Sequence, residues 1–563
     1  MINKAIAQLF YDMADMFEFL GVEWKPQAYR RGAQNILGLG KDLGAIYEEE
    51  GIRGLKAIPG IGEAMASKIE EYITTGKLKT YQKLRKKLPK GVVELMDVPG
   101  LGAKKAAILH KKLKVGTVAQ LRKAIKQHKV AKLEGFGPKS EANILKGLDI
   151  FKRKGERVLM ATVRPLADSM VARLQKVKGV TRVDLAGSMR RWRPTVKDID
   201  ILCISDSSKV IEAFCGMSNV KEVIAQGKTK ASVFVEEGVE VDLRVVPKES
   251  YGAALNYFTG SKEHNISLRK IAIQKGLKLN EYGLFSKTRA VAGKTEKELY
   301  RKLGLPYIEP ELREGHGELT THQPKLVTLQ DVKADLQMHT TFSDGNYSVA
   351  DMAKAAKPLK YIAITDHYGR IPIANPVNKR RFAKYSKAID EANKKLRGIM
   401  VLKGLEVDID KEGNVECEPS ILKQLDYCLA AVHRAFTMDK KAMTKRLCNA
   451  MDNEYVTALA HPTGKVVLER DPIVFDTKKV FAHAAKTQTA LEINAHPSRT
   501  DLGASMIQEA IAHKVKLTMG TDSHSTEHLR YLEYGVRNAR RGWAEKKHIL
   551  NCLSLRQFMK AKK

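Results

Sequence analysis

The sequence predicts a multidomain α/β protein, with helical domains first, a β-rich centre that carries acidic residues, and a barrel of repeated β/α units last. Glycine motifs recur three times near the N-terminus, β-branched segments surround aspartates in the centre, and short apolar runs near the C-terminus end in histidine, aspartate or glutamate. At 563 residues the chain exceeds what one hydrophobic core supports, so it should divide into several domains.

The N-terminal repeat consists of IPGIG at 58–62, VPGLG at 98–102 and EGFG at 134–137, each followed by a helix-like stretch. This is the helix–hairpin–helix signature, in which glycines let the backbone approach a phosphate and the N–H groups of the next helix bind the anion. Backbone contacts of this kind predict DNA binding that is independent of sequence and sensitive to salt. The predicted contact residues are Gly60, Gly62, Gly100, Gly102, Lys104, Lys105, Gly135 and Gly137, with Lys68 and Lys139 nearby.

The charge of the chain points to the same partner. Its formal net charge is +34, and residues 51–200 hold 35 lysines and arginines against 13 aspartates and glutamates. Such a basic segment predicts a polyanion partner, with nucleic acid ahead of a membrane surface. The six cysteines are scattered without C-x-x-C spacing, which favours a reducing, cytoplasmic location, and no apolar run is long enough to span a bilayer.

The central segment GSMRRWRPTVKDID, residues 187–200, joins a Gly-Ser turn, several arginines and an Asp-x-Asp pair. Apolar neighbours place Asp198 and Asp200 on a strand, and period-two alternation points both carboxylates the same way. Two such carboxylates can hold a pair of Mg²⁺ ions, while the turn and the arginines can bind a triphosphate. A third acid, Asp242, lies in the β-branched run 238–246 and would join them if the two strands paired. The alternative is that these acids are ordinary solvated residues at a strand end or a sheet edge.

Together with YGAALNYFTGSKEHNISLR at 251–269, these blocks resemble the α+β nucleotidyltransferase palm and the thumb of family X DNA polymerases, the DNA polymerase beta group. The resemblance implies that Asp198 and Asp200 bind two ions of Mg²⁺ or Mn²⁺ and that Asp242, also a metal ligand, activates the primer 3′-hydroxyl. It also implies a nucleotide site whose members hold the triphosphate, form the wall that checks the sugar, and reach the minor groove. In that order these residues are Gly187, Ser188 and Arg191; Tyr257, Phe258 and Gly260; and Asn265 and Arg269. Lys262 stands where the best-known relatives carry an acid, so contacts to the incoming base would differ.

Two N-terminal segments, 28–36 and 58–72, resemble the small lyase domain of DNA polymerase beta. The resemblance places Lys68 at the position of the Schiff-base lysine and gives Lys25 and Tyr29 the task of holding a 5′-phosphate. A lysine acts in this way when burial or nearby positive charge lowers its pKa. The alternative is a solvated helix lysine that only contacts DNA.

From about residue 331, after a Pro- and Gly-containing linker, short apolar runs end in potential metal ligands. The runs are DLQMHTTFSDG (335–345), IAITDH (362–367), LKGLEVDID (402–410), LAAVH (429–433), TALAHPTG (457–464) and MGTDSH (519–524). Helix-like segments separate them, which predicts β/α units whose strand ends share one barrel mouth. The histidines and carboxylates at these ends predict a metal site. Its members are His339, Asp344, His367, Glu406, His433, His461, Asp522 and His524.

These runs resemble the polymerase-and-histidinol-phosphatase (PHP) domain, a distorted (β/α)7 barrel that holds two or three ions, here Mn²⁺ or Zn²⁺. The resemblance implies metal-assisted phosphodiester hydrolysis, in the form of a 3′–5′ exonuclease, 3′-end cleaning or cleavage at abasic sites. Gln337 departs from the family pattern, since the first motif is usually His-x-His and a neutral amide binds an ion weakly. The domain is therefore expected to be a working nuclease, attenuated if the ion beside Gln337 binds weakly, and a catalytically inactive domain kept as a scaffold is the alternative.

The predicted division runs from a lyase-like helix–hairpin–helix domain (1–85) and a second helix–hairpin–helix domain (86–152) to a palm (153–248), a thumb (249–312), a linker (313–332) and a PHP domain (333–563). The favoured function is a monomeric repair polymerase that fills short gaps in primer-template DNA with deoxynucleoside triphosphates and processes 3′ ends. The alternatives are a nuclease whose polymerase half only binds DNA, and a non-catalytic scaffold. The complete carboxylate set disfavours the first alternative, and the retained metal ligands disfavour the second.

Overall fold

The structure is a computed structural model that describes residues 2–37, 39, 42–89, 91–96, 98, 101–138, 140–142, 144–145, 148, 157–207, 209–369 and 375–563. Gly100 and Lys139, two of the predicted DNA-contacting residues, lie outside the described residues, so their contacts stay predictions.

The N-terminal part is helical, as the sequence predicts. Its described helices are α1 (Ile2–Phe19), α2 (Lys25–Leu37), α3 (Leu43–Lys56), α4 (Glu63–Thr75), α5 (Lys79–Lys87), α6 (Val92–Met96), α7 (Ala103–Leu113) and α8 (Val118–Lys126). Apolar residues of α1 recur at helical spacing, and Ile6, Phe10, Met13 and Phe17 are all buried in the first core. A separate core is built around α7 and α8. The helical N-terminal part therefore has two cores.

Two hairpin glycines have backbone conformations that residues with a side chain adopt only with strain. Gly60 has φ of +77° and Gly135 has φ of +79°, values in the left-handed region that glycine tolerates at little cost. Gly62 and Gly102 are the residues directly before α4 and α7. The exposed N–H groups of a helix start are a suitable site for phosphate.

The central domain is built on a sheet with strand order β2-β4-β7-β6-β5. Strands β4 and β7 run parallel, whereas the other neighbouring pairs are antiparallel. Its elements are β1 (Val158–Leu159), α9 (Met160–Gln175), β2 (Val180–Leu185), α10 (Gly187–Arg190), β3 (Thr195–Val196), β4 (Asp198–Ser205), α11 (Lys209–Cys215), β5 (Val220–Gln226), β6 (Lys230–Val235) and β7 (Glu240–Val246). Helices α9 and α11 share a core with one face of this sheet, which leaves the other face for the acids.

The next domain contains helices and an antiparallel sheet of order β10-β9-β8. Its elements are α12 (Tyr251–Thr259), α13 (Lys262–Gln274), β8 (Lys278–Asn280), β9 (Gly283–Ser286), β10 (Arg289–Ala292) and α14 (Glu296–Lys302). Helix α12 packs on the open face of the central sheet, where Leu202 of β4 contacts the cluster of Tyr251, Ala254 and Leu255. The α+β palm and thumb arrangement is thus confirmed.

The C-terminal domain is a parallel barrel of order β11-β12-β14-β15-β16-β17-β18, with β13 also paired to β14, among the described residues. Its strands are β11 (Ala334–Asp335), β12 (Tyr361–Ile364), β13 (His367–Tyr368), β14 (Met400–Asp408), β15 (Tyr427–Ala431), β16 (Ala458–Leu459), β17 (Ala490–Asn494) and β18 (Leu517–Gly520). Its helices are α15 (Val349–Ala355), α16 (Lys379–Lys395), α17 (Pro419–Leu422), α18 (Lys440–Asp452), α19 (Thr477–Thr487), α20 (Ala504–Ala512), α21 (Leu532–Arg541) and α22 (Leu555–Ala561). A parallel bridge between Met338 and Ser523 brings the first and last strands together. The predicted barrel is confirmed and is nearly closed.

The irregular segment between thumb and barrel is packed against both. Arg313 is fully buried and donates to Glu296 at 2.6 Å, while Glu318 is buried against His264 at 2.7 Å. Val327 donates its N–H to the carbonyl of Ala544. This segment therefore fixes polar contacts between domains. Across the described part of the chain, no helix is both long and apolar enough to cross a membrane.

Candidate catalytic centres

The three predicted carboxylates of the central sheet lie on one face. Asp200 of β4 is the register partner of Asp242 on the parallel strand β7, and Asp198 precedes Asp200 by two positions. The intervening Ile199 and Ile201 point into the core, as alternation along a strand requires. The structure therefore brings Asp198, Asp200 and Asp242 together.

Asp200 is the carboxylate with the strongest electrostatic perturbation in this group. Burial, together with the charges of Asp198 and Asp242, raises its pKa to about 7 against the lowering effect of Arg191 and Arg244. Like charges crowded at one place disfavour ionisation unless a cation compensates them. Ser232 donates a hydrogen bond to Asp242, and Lys230 Nζ lies 3.8 Å from its Oδ2. The arrangement suits a divalent cation held between the carboxylates.

The Gly-Ser turn lies directly against these acids. Gly187 has φ of +58°, and a Cβ added there would overlap Oδ2 of Asp200. Only glycine fits this position without displacing the carboxylate. Ser188 follows in the short helix α10 and is half-buried beside the same group.

The two adjacent arginines have different partners. Arg190 forms a paired contact with Glu296 at 2.9 Å and 2.6 Å and also donates to Thr259 Oγ1. Burial opposes its charge, but Glu296 outweighs burial and raises the pKa of Arg190. Arg191 donates from Nε to Glu314 and from Nη1 to the carbonyl of Thr259. Both arginines thus contact Thr259 of the thumb, and the charge of Arg191 also acts on Asp200.

The predicted sugar wall and base contacts lie on α12 and α13. Tyr257 and Phe258 form an edge-to-face pair with centroids 5.1 Å apart, and Arg244 stacks over Phe258 at 4.8 Å. Gly260 follows at φ of +68°, where a Cβ would lie 3.1 Å from Arg191 Nη1. The side chain of Asn265 is buried and donates to the carbonyl of Tyr257 at 2.7 Å.

The remaining residues of this group extend toward the N-terminal domain. Arg269 is exposed one helical turn after Asn265, to whose carbonyl its Nε donates. Lys262, the departure noted in the sequence, donates to the hydroxyl of Tyr11 in α1 at 3.1 Å and stacks over its ring. Lys262 therefore contacts the first helical domain in this structure.

The lysine of the predicted lyase site is partly buried in α4. Lys68 Nζ donates to the carbonyl of Ala64 at 2.7 Å, and burial together with the charge of Lys25 lowers its pKa. Lys25 itself lies over the ring of Phe17, and Tyr29 is buried between Phe10 and Phe17. The structure thus brings Lys25 within electrostatic reach of Lys68 and gives Tyr29 a packing role.

The predicted DNA-binding lysines of the second hairpin lie at the edges of the helical domains. Lys104 is largely exposed, 3.9 Å from Glu18, and Lys105 lies over the ring of Phe136 next to the third hairpin.

At the barrel mouth, histidines and carboxylates from different strands converge. Two groups have ligand atoms close enough to share a metal ion. They are His339, Asp344, His367 and His524, and His367, Glu406 and His433. Glu406 also receives His461 Nε2 at 2.9 Å, and Asp522 lies 3.2 Å from His339 Nε2. All eight predicted ligands therefore gather at one place.

Metal ions fit this donor set. Both ring nitrogens of His339, Nδ1 of His367 and Nδ1 of His461 are buried and make no hydrogen bond of acceptable geometry among the described residues, although carboxylate oxygens lie 3.2 Å from His339 Nε2 and from His367 Nδ1. Buried polar atoms without partners are costly, and a bound ion would satisfy them. Burial alone would raise the pKa of Glu406 and lower that of His433. The histidines nevertheless lower the pKa of Glu406, and Glu406 with Asp408 raises that of His433 to about 10. Without metal, protons on histidines balance the carboxylates, and metal binding would release them.

Sequence reasoning missed several residues that hold these ligands in place. Asp408 accepts His433 Nδ1 at 2.5 Å, which fixes the orientation of that ring. Asp366 is buried beside Thr340 and Ser343 and accepts hydrogen bonds from both. Both aspartates lie in the runs that end in metal ligands, Asp366 just before His367 and Asp408 two residues after Glu406. This closeness to a ligand was the signal in the sequence that could have found them.

Gln337 takes part in a polar network. Its side chain is fully buried, and its amide contacts Glu492 and Asn494. Asn494 Nδ2 and Arg499 Nε both donate to Oδ2 of Asp522, each at 3.1 Å. At Gln337, where the PHP first motif usually carries a histidine, the chain therefore has an amide. One oxygen of Asp522 already accepts hydrogen bonds from Asn494 and Arg499.

Family models divide the chain in the same order as the fold. A helix-hairpin-helix domain model matches residues 1–78, a SAM-like helix-hairpin-helix tandem model 92–149, a DNA polymerase beta thumb model 254–314 and a PHP domain model 335–496. These matches, with the carboxylate sheet between them, define the class of beta-type polymerase chains joined to a PHP domain.

Similarity over the whole length defines the class more narrowly. DNA polymerase/3'-5' exonuclease PolX of Bacillus subtilis is 37% identical over 566 residues, which cover 99% of this chain and 98% of that protein. The chain belongs to the family X DNA polymerases that carry a PHP domain. DNA polymerase lambda of Arabidopsis thaliana is 25% identical over 55% of this chain and 62% of its own length. A probable phosphatase of Thermoanaerobacter is 28% identical over 244 residues, which cover 41% of this chain and 95% of the phosphatase.

Proposed function

We propose that this protein is a DNA-directed DNA polymerase that fills short gaps during repair, with a metal-dependent 3′–5′ exonuclease in its barrel domain. The observation that carries the polymerase proposal is the shared face of Asp198, Asp200 and Asp242 on two parallel strands. If the polymerase half only bound DNA, nothing would explain why three mutually repelling carboxylates lie together on one face of the sheet. Its substrates would be gapped or primer-template DNA and deoxynucleoside triphosphates.

In the palm, each residue has a task that follows from its position. Asp198 and Asp200 would hold Mg²⁺ or Mn²⁺, which when bound stabilises the charge on the attacking and leaving oxygens. Asp242 would accept the proton of the primer 3′-hydroxyl. The backbone of Gly187 with Ser188 and Arg191 would bind the triphosphate at the side of the acids.

The thumb would complete the nucleotide site. Tyr257, Phe258 and Gly260 would form the wall against the sugar, because the backbone turn at Gly260 lies beside Arg191 and the pair of rings directly precedes it. Asn265 and Arg269 follow on the next helix and would reach the minor-groove edge of the new base pair. Phosphoryl transfer depends mainly on positioning and charge stabilisation, which these residues supply.

In the barrel, the eight converging ligands would hold two or three ions of Mn²⁺ or Zn²⁺, which when bound supply a hydroxide near neutral pH. The buried ring nitrogens without partners support this assignment. The second candidate for this domain is an attenuated or structural role, and the buried contacts of Gln337 with Glu492 and Asn494 favour it.

A 5′-deoxyribose-phosphate lyase activity is proposed for the first helical domain. Lys68 is partly buried and its pKa is lowered by burial and by Lys25, both of which favour a neutral amine able to form an imine with an aldehyde. Borohydride trapping on a 5′-deoxyribose-phosphate end should be lost in Lys68→Ala and kept in Lys79→Ala, an exposed lysine of the following helix. Equal trapping by both variants would refute the assignment of Lys68.

The polymerase and exonuclease proposals are tested with a gapped duplex that carries a 5′-labelled primer, in Mg²⁺ or Mn²⁺, with and without nucleotides. Extension with nucleotides and shortening without them in Mn²⁺ are the expected results. Extension without shortening under every metal would support the structural role of the barrel. Shortening without extension would refute the polymerase assignment.

A further inference from the structure

One carboxylate at the junction of palm, thumb and barrel meets three arginines. Glu314 Oε1 lies 3.3 Å from Arg191 Nε and 3.5 Å from Arg541 Nη2, and Glu314 Oε2 lies 3.3 Å from Arg193 Nη1. Arg191 and Arg193 belong to the palm, whereas Arg541 is the last residue of helix α21 in the barrel domain. Arg191 and Arg541 therefore share a single oxygen across a domain boundary.

Apart from Arg193, whose side chain is 37% exposed, the cluster is shielded from solvent, and it carries excess positive charge. The side chains of Glu314, Arg191 and Arg541 are only 12%, 13% and 7% exposed. One carboxylate against three guanidinium groups leaves about two positive charges uncompensated within the cluster, and shielded charges are weakly screened by salt. Burial lowers the pKa of Arg541 to about 10, and the neighbouring arginines act in the same direction. Arg541 is thus still charged at neutral pH.

Arg541 is not fully satisfied by its partners. Its Nε is buried without a hydrogen-bond partner among the described residues. A buried guanidinium at the end of a helix, held to one shared oxygen, is a costly arrangement for docking two domains. The neighbouring Arg537 and Arg540 already join the barrel to the thumb through Glu311, at 2.8 Å and 2.7 Å.

Arg191 is the member of the cluster that faces the carboxylates of the palm. Its Nε and Nη1 donate to Glu314 and to the carbonyl of Thr259, and among the described residues its Nη2 makes no hydrogen bond and stays available for a further partner. Its charge acts to lower the pKa of Asp200, so the guanidinium lies within electrostatic reach of the acids. The strength of the Glu314–Arg191 ion pair therefore affects how strongly Arg191 can bind a triphosphate.

We propose that Arg541 of the barrel domain is a positioning residue for nucleotide binding in the palm. By sharing Glu314 Oε1, it weakens the hold of Glu314 on Arg191 and adds positive charge behind it. This inference rests on the proposed role of Arg191 in binding the triphosphate. It assigns the barrel domain a part in polymerisation that is independent of its own metal centre.

Removing Arg541 should weaken nucleotide binding with little effect on the chemical step. Glu314 would then pair with Arg191 and Arg193 alone, and one positive charge would be lost near the triphosphate. The carboxylates and the primer terminus are not touched by Arg541, so their geometry stays as it is. A change in KM at constant kcat is the signature of binding energy lost equally from the ground state and the transition state.

The experiment is single-nucleotide insertion by the full-length protein on a one-nucleotide gap. Arg541→Gln should raise the KM for the nucleotide by about tenfold and leave kcat within about twofold of wild type. Arg541→Lys, which keeps the charge, should recover most of the loss. Arg540→Gln is the matched control, since Arg540 belongs to the same helix and interface but pairs with Glu311 and Glu309. Its KM should not change.

A second substitution separates positioning from generic docking. Glu314→Gln in the Arg541→Gln background should restore a low KM, because no carboxylate is left to neutralise Arg191; this is a double-mutant cycle. An unchanged KM in Arg541→Gln, or an equal rise in Arg540→Gln, would overturn the proposal. Loss of kcat together with a lower melting temperature in Arg541→Gln would also overturn it, because it would show a structural role.

The failure of the proposed function gives a different result. If the wild-type protein inserts no nucleotide, the polymerase assignment fails for all variants alike. Equilibrium binding of a deoxynucleoside triphosphate to the protein–DNA complex, measured by titration calorimetry with Ca²⁺, then still compares Arg541→Gln with wild type. Weaker binding in the variant would support positioning, and equal binding would refute it.

Discussion

Asp200 carries a conflict between folding and chemistry that a single residue change can expose. The protein buries this carboxylate beside Asp198 and Asp242, which raises its pKa to about 7. Burying an ionised carboxylate among like charges is unfavourable, and a bound cation removes the penalty. Without metal, Asp200 therefore lowers the stability of the folded state at neutral pH, and a bound metal ion would remove this cost.

The pH dependence of metal-free stability should report this conflict. Because the folded pKa lies above that of the unfolded chain, the contribution of Asp200 to stability is fully present below the unfolded pKa and lost as pH rises through about 7. In EDTA, Asp200→Asn should therefore melt several degrees higher than wild type at pH 8, and the difference should disappear near pH 4. Asp206→Asn, an exposed acid just after the same strand, is the control for calorimetry. An unchanged melting curve for Asp200→Asn would contradict the burial of charge.

Gln337 offers a second test at the scale of one residue. Gln337→His would replace a neutral amide by an imidazole at the barrel mouth, where the other ligands already converge. We expect the bound Mn²⁺ or Zn²⁺ per molecule to rise by about one and 3′ hydrolysis to accelerate about tenfold or more, since a ligand-sphere change alters metal sites to this degree. Elemental analysis of the dialysed protein and a primer-shortening assay measure the two quantities. Gln330→His, an exposed position, should change neither, and an unchanged metal content in Gln337→His would contradict the expectation.

Some site residues could be anticipated from the sequence and others could not. Alternation of apolar residues around Asp198, Asp200 and Asp242 predicted a common face, because a strand has a fixed period. Glu314 and Arg541 gave no such signal, because one lies in an irregular segment and the other ends a helix more than 200 residues away. Contacts between distant segments depend on the three-dimensional arrangement, which local periodicity does not contain.

At the scale of elements, the helical hairpins position glycine backbone where a phosphate can approach. Gly135 and Gly76 form a matched pair for testing this idea. Their φ values are +79° and +67°, and an added Cβ would meet nothing within 4 Å at either position. Gly76 ends helix α4, whereas Gly135 belongs to the third hairpin.

Substitution of each glycine by alanine should cost similar strain but differ in DNA binding. A left-handed conformation costs a non-glycine residue about 1–2 kcal/mol, so both variants should lose comparable stability in a denaturant titration. Only Gly135→Ala should weaken binding to duplex DNA in fluorescence anisotropy, because only there does the backbone belong to the proposed phosphate contact. Equal binding by both variants would show that the third hairpin does not contact DNA.

The elements themselves were largely predictable, and their packing was not. The apolar runs that end in histidine or carboxylate predicted the barrel strands, because the carboxyl ends of parallel strands meet at one mouth. The segment 313–332 was expected to be a linker, since prolines and glycines interrupt any period. Its buried residues Arg313 and Glu318 contact partners elsewhere in the chain, because Arg313 donates to Glu296 and Glu318 pairs with His264.

At the scale of the whole molecule, the proposed protein has two metal-dependent centres with opposite effects on a primer end. The palm would add nucleotides and the barrel would remove them, while the basic N-terminal domains would hold the duplex. Glu311 and Glu314 join the barrel to the polymerase half through Arg537, Arg540 and Arg541. The predicted monomeric state and the sharing of one primer end between the centres stay predictions.

The central claim is that the two centres act independently, and reciprocal substitution tests it most directly. On one labelled, gapped duplex in Mn²⁺, Asp200→Ala should reduce extension about a thousandfold or more and leave shortening unchanged. His339→Ala should abolish shortening and leave extension unchanged, because among the described residues its ring contacts barrel ligands such as Asp344, Glu406 and Asp522 and no residue of the palm. If either substitution removed both activities in a protein that still melts cooperatively, the assignment of two separate centres would be wrong.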